Sequence, residues 1–176
     1  MKNLTEYIKE NLIDTFNESK NVDREYGQTV YNKLLQQEKL NREELKWTDE
    51  KVGVFKVDTD QLKYLIKNLN IYKISLNWLD VSKIKNMRGV FSNSQFTGDI
   101  SKWDVSKVED MSSMFEDSQF NGDISKWDVS SVKDMFRMFS NSQFNGDISD
   151  WDVSNVDDMK YMFDGCPIKD EYKPKF

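Results

Sequence analysis

The sequence predicts an α/β protein: a short solenoid of 24-residue repeats, preceded by a small, mainly helical N-terminal domain or cap. Three observations carry this expectation. The first is the period, since DVSKIKNMRGVFSNSQFTGDISKW, DVSKVEDMSSMFEDSQFNGDISKW, DVSSVKDMFRMFSNSQFNGDISDW and a truncated DVSNVDDMKYMFDGCP open at Asp80, Asp104, Asp128 and Asp152. The second is that the same slots are apolar in each copy, so the copies must bury one common side. The third is the spacing of those slots, which recur at three, three and four residues and so trace a helical stripe within each copy.

The expected organisation is an amphipathic helix over 1–20, a small α+β cap over 21–72, the repeats over 73–168 and a tail over 169–176. Leu4, Ile8, Leu12 and Phe16 recur every four residues with polar residues between them, the pattern of an amphipathic helix. Such a stripe serves equally as a packed cap or as a detachable targeting helix that docks on a partner. Tyr26, Val30, Leu34 and Leu35 mark a second helix with Asp23 as its N-cap. Val52, Val54, Phe55 and Val57 read as a short strand. After it, Asp58 or Asp60 caps a helix with the inner face Leu62, Leu65, Ile66 and Leu69.

Within the repeats, the columns Val81/Val105/Val129/Val153, Ile84/Val108/Val132/Val156, Met87/Met111/Met135/Met159, Val90/Met114/Met138/Met162 and Phe91/Phe115/Phe139/Phe163 are expected to be buried. One short helix per repeat follows from their spacing, with Ser82, Ser106, Ser130 and Ser154 as N-caps contributing about 1 kcal/mol each. Downstream, Gly98, Gly122 and Gly146 supply a turn. The Asp-Ile-Ser segments at Ile100, Ile124 and Ile148 then read as very short strands that stack into a narrow parallel sheet, with Leu76 as a further rung. Trp103, Trp127 and Trp151 form one more column, buried in each repeat or exposed as an aromatic ladder that grips a partner.

Composition narrows the chemistry. The formal net charge is −6 and no basic tail is present, which disfavours nucleic acid as a partner. The absence of His removes Ser-His and Cys-His nucleophile pairs and His-containing zinc sites. Cys166 is the single cysteine, so no internal disulfide forms. Asp99, Asp123 and Asp147 form one acidic column and Asp80, Asp104, Asp128 and Asp152 another. Because each column repeats the same environment, it lacks the two contrasting carboxylates that acid–base catalysis needs, and turn hydrogen bonding is the expected role, with calcium binding along the ladder as the alternative. No apolar run reaches the length of a membrane span, and Glu6 and Glu10 interrupt any signal-peptide core.

The pattern W-D-V-S-x-V-x-D-M-x-x-M-F-x-x-x-x-x-F-N-G-D-I-S, dense over Trp103–Ser125 and Trp127–Ser149, resembles the BspA-like leucine-rich repeat family, also called DUF285 or the Mycoplasma-type lipoprotein-associated repeat. The resemblance implies a leucine-rich-repeat-like solenoid and a role in adhesion or protein binding. MKNLTEYIKENL is in turn similar to leaders found on proteins of tailed bacteriophages, which implies a phage-encoded product.

These readings lead to a non-catalytic protein-binding or structural module with no cofactor and no metal. The candidate partner-binding residues are Phe136, Trp103, Trp127 and Trp151, and the candidate targeting helix carries Leu4, Ile8, Leu12 and Phe16. A virion-packaged or targeted cargo protein addressed by that helix is one alternative, and a polysaccharide-binding module using the Trp column is another. The partner is expected to be a protein, without nucleic acid or membrane insertion, and homo-oligomer formation is left open. The expected location is the cytoplasm, that of the host if phage-encoded, with the virion as alternative.

Overall fold

The computed structural model describes residues 55–68, 73, 75–77 and 79–175. The expected helices at 1–20 and 23–40, and the side chains of Leu69 and Trp78, lie outside the described residues.

The strand β1 (Phe55–Lys56) pairs in parallel with β2 (Leu79–Asp80), Phe55 opposite Leu79 and Lys56 opposite Asp80. This offset is the same 24 residues that separate the repeats. Val57 accordingly extends the column headed by Val81: it is buried, and its N–H donates to the Asp80 carbonyl at 3.2 Å. Between the strands runs α1 (Thr59–Asn68), with Asp60 in its first turn and Lys67 in its last, both favourable to the helix dipole. Leu62, Leu65 and Ile66 form its buried face. The Thr59 hydroxyl donates to the Asn86 carbonyl at 2.9 Å, which fixes the start of α1 against the first repeat.

The repeats do not build the expected α/β, leucine-rich-repeat-like solenoid. Between Val81 and Lys169 there is no helix and no strand, only turns and extended loop joined by three isolated parallel bridges, Asn86 to Asp110, Asp110 to Asp134 and Asp134 to Asp158. The sheet among the described residues is the two-residue pair β1–β2. One 3-10 helix, Asp170–Tyr172, follows in the tail.

Backbone conformation explains why the predicted helices are missing. Gly89, Ser113, Arg137 and Tyr161, which share one repeat position, all have φ between 53° and 64°, and Asn93, Asp117, Asn141 and Gly165 share another at 54° to 65°. A left-handed residue ends an α-helix, so a segment with two of them four residues apart cannot be one. The amides instead alternate. Val90, Ser92 and Ser94 donate locally across tight turns, to Met87, Gly89 and Phe91 at 3.2, 3.2 and 3.1 Å. The residues between them donate to the next repeat: Met87, Gly89, Phe91 and Asn93 to the carbonyls of Asp110, Ser112, Met114 and Glu116 at 2.8, 3.0, 2.9 and 2.8 Å. Met111, Ser113, Phe115 and Asp117, and then Met135, Arg137, Phe139 and Asn141, repeat this row between 2.7 and 3.1 Å.

The expected Asp-Ile-Ser strands are also absent. At each, the Asp side chain captures the Ser N–H two residues on, at 2.9 Å for Asp99, 3.0 Å for Asp123 and 3.0 Å for Asp147, which bends the chain into a turn rather than leaving the amide for a ladder. The same capture replaces the predicted caps: Ser82, Ser106, Ser130 and Ser154 donate to Asp80, Asp104, Asp128 and Asp152 at 3.0 to 3.1 Å.

The buried side is aromatic as well as aliphatic. Phe91, Phe115 and Phe139 stack with centroids 5.2 and 5.5 Å apart, and Phe96, Phe120 and Phe144 form a second file at 6.2 and 6.4 Å. Gly122 and Gly146 pass over the second file so closely that a Cβ there would meet a Phe120 or Phe144 ring carbon at 2.8 or 2.9 Å.

Candidate interaction surface

Trp103, Trp127 and Trp151 are each only 4% exposed. Their indole N–H groups donate to the carbonyls of Leu76, Ile100 and Ile124 at 2.9, 3.2 and 3.1 Å, one repeat back. A ring held inside by both packing and hydrogen bonding cannot grip a partner, so the three tryptophans leave the candidate contact surface and the polysaccharide reading loses its ladder. Leu4, Ile8, Leu12 and Phe16 lie outside the described residues.

Phe136 is different. It is half-buried and belongs to a cluster that spans two repeats. Its ring meets Tyr161 edge-on, centroids 6.1 Å apart at 84°. The Arg137 guanidinium lies 5.3 Å from the Phe136 centroid and 5.6 Å from that of Tyr161, while its Nη1 is 3.4 Å from Glu116 Oε1. Tyr161 is 60% exposed and is the large apolar side chain most open to solvent among the described residues.

The backbone beneath this cluster is unusual. Arg137 and Tyr161 hold φ of 54° and 59° at the position that Gly89 fills in the first repeat. A left-handed L-residue costs about 1–2 kcal/mol relative to the right-handed region. A guanidinium and a phenol therefore stand where glycine would be cheaper, and the Arg137 N–H donates to the carbonyl of Lys160, beside Tyr161, at 3.1 Å. Sequence reasoning singled out Phe136 because it replaces Ser112 of the previous repeat. It missed Arg137 and Tyr161, because nothing local in the sequence marks position 137 or 161 as left-handed; the period alone, which aligns them with Gly89, held the signal.

The acidic columns act within the chain. Hydrogen bonds from the Ser106 hydroxyl and then its N–H hold the Asp104 carboxyl below its ordinary range, and the Ser154 hydroxyl and N–H do the same for Asp152. Ser125 and Ser149, N–H first and hydroxyl second, lower Asp123 and Asp147. Among the described residues no group of three or more acidic or cysteine side chains comes together as a metal site would need. Cys166 is half-buried, with its thiol 3.1 Å from the Phe144 carbonyl.

A further column carries alternating charge. Lys85 Nζ lies 2.8 Å from Glu109 Oε1 and Lys133 Nζ 3.9 Å from Glu109 Oε2, and Asp157 is the next residue in the series. Lys85 first through its hydrogen bond, then through its charge, holds the Glu109 carboxyl down.

Residues 60–173 match the family model described as DUF285, Mycoplasma protein of unknown function. The chain belongs to this DUF285 family. No curated protein and no solved structure is significantly similar to it. The matched span contains α1 from its second residue, all the repeats and Tyr172, whose carbonyl accepts from Ile148 at 3.0 Å. The DUF285 unit thus includes the helix as well as the repeats. No helix among the described residues is long and apolar enough to cross a membrane.

Proposed function

We propose that this DUF285 protein is a non-catalytic module that binds another protein through the surface formed by Phe136, Arg137 and Tyr161. The observation that carries the reading is the exposed aromatic and cationic cluster on left-handed backbone. Aromatic and arginine side chains are the residue types that dominate protein interfaces, and conformational strain is concentrated where function requires it. The regular acidic columns support a non-catalytic role, because each carboxylate serves its own turn rather than facing a partner of contrasting chemistry.

The test compares capture of partners from the native source by the full chain and by F136A and Y161A, with circular dichroism and urea unfolding to verify the fold. A retained partner should bind F136A more weakly by about 1–3 kcal/mol. Unchanged affinity with intact folding rejects this surface. Capture lost only when residues 1–20 are removed assigns binding to the N-terminal segment instead.

A further inference from the structure

In three successive rows, every second amide donates to the following repeat. The residues that continue the pattern in the last repeat are Met159, Tyr161, Phe163 and Gly165, and their N–H groups meet no acceptor among the described residues. Beside them, Val156, Met159 and Phe163 are half-buried, whereas Val132, Met135 and Phe139 one repeat earlier are completely covered. The last repeat therefore ends in a row of donors without acceptors among the described residues, beside an apolar strip where the Lys173 ammonium lies 5.6 Å from the Phe163 centroid. Such donors and apolar surface together allow a backbone segment to add to an edge.

The charge pattern says what such a segment carries. The column Lys85, Glu109, Lys133, Asp157 alternates in sign, and its last member, Asp157, is exposed. A cation continues the alternation. A second copy of the chain fits poorly: its matching acceptors lie in the first repeat, where Asn86 already accepts from Thr59, and Lys63, Ile66 and Lys67 of α1 line the space beside Gly89 and Val90.

We infer that the outer face of the last repeat receives an extended main-chain segment of a protein partner, which presents carbonyls at every second residue to Met159, Tyr161, Phe163 and Gly165 and a lysine or arginine to Asp157. This deepens the protein-binding reading and rests on it, since Tyr161 contributes its ring to one surface and its N–H to the other.

The probe is a synthetic peptide of residues 128–151. Within the chain that segment offers the carbonyls of Asp134, Phe136, Met138 and Ser140 to the preceding repeat and sets Lys133 beside Glu109. Amide exchange of the full chain is followed by NMR as peptide is added. The amides of Met159, Tyr161, Phe163 and Gly165 should slow about tenfold or more, with those of Met111 to Asp117 unchanged. A K133E peptide should bind about fivefold more weakly, and D157K in the protein should restore its binding. Absence of protection at these four amides, or a charge swap that restores nothing, overturns the inference. Protection that grows with protein concentration without peptide makes a second copy the occupant and likewise overturns it. If protection fails while F136A still loses its partner, the edge falls and the binding surface stands; protection with unaffected F136A capture gives the reverse.

Discussion

Truncating the same repeat position at two places in the chain separates packing by depth from packing by identity. Phe115 has no exposure, and its ring lies 5.2 Å from Phe91, 4.6 Å from Phe120, 5.5 Å from Phe139 and 6.3 Å from Trp127. Phe163, two repeats later, is half-buried, with the Phe139 ring at 5.9 Å and the Lys173 ammonium 5.6 Å from its own centroid. A fully buried Phe to Ala change costs about 3–5 kcal/mol, the lost transfer energy plus the cavity left behind. For Phe163 part of the ring already faces water and solvent can fill the space, so F163A should cost about 1–2 kcal/mol. The expected gap between F115A and F163A is therefore about 2 kcal/mol, read from urea unfolding followed by tryptophan fluorescence and far-ultraviolet circular dichroism. Equal destabilisation by the two variants, or a cost for F115A below about 1.5 kcal/mol, would refute the claim that stacking between repeats supplies the core.

Two glycines should fail for different reasons. G122A drives a Cβ to 2.8 Å from two atoms of the fully buried Phe120 ring and should cost about 1–3 kcal/mol by overpacking, whereas G89A meets only Ser92 Cβ at 3.9 Å and should cost about 1–2 kcal/mol through its φ of 64°; urea midpoints check both, and F120L should relieve the first alone. Asp104 is held below its ordinary 3.8 by the Ser106 hydroxyl first and the Ser106 N–H second, so the stability it contributes is present above the unfolded value and is lost as pH falls through the folded one. S106A should move the Asp104 titration, followed by carboxyl-carbon NMR, back towards 3.8 and flatten the acid limb of the stability curve in that window.

Much of the interior was legible. Val105, Val108, Met111, Met114 and Phe115 are all buried as their columns require, and the Asp-x-Ser pairs form the turns that short polar side chains favour. The period of the apolar residues points to the wrong secondary structure. Apolar residues at 84, 87, 90 and 91 suit a helix, but tight turns closing every third residue, such as Ile84 to Val81 and Val90 to Met87, return side chains to the same side at nearly the same interval. Side-chain period alone cannot distinguish the two. The alignment of Gly89 with Ser113, Arg137 and Tyr161 was the available sign of left-handed backbone, and three non-glycine residues in that slot concealed it. The sequence left Trp103, Trp127 and Trp151 either buried or exposed as a ladder, and their burial was decided by carbonyls one repeat away.

By itself the sequence determined the 24-residue period, which side chains turn inward, and the family to which the chain belongs, because each follows from residue identity at fixed spacing. Only the tertiary structure decided where the backbone hydrogen bonds go. An amide four residues from a carbonyl makes a helix on its own, but here Met111, Ser113, Phe115 and Asp117 find acceptors in the next repeat, at Asp134, Phe136, Met138 and Ser140. That choice exists only once the repeats lie against one another, and it leaves the last row of donors without acceptors among the described residues.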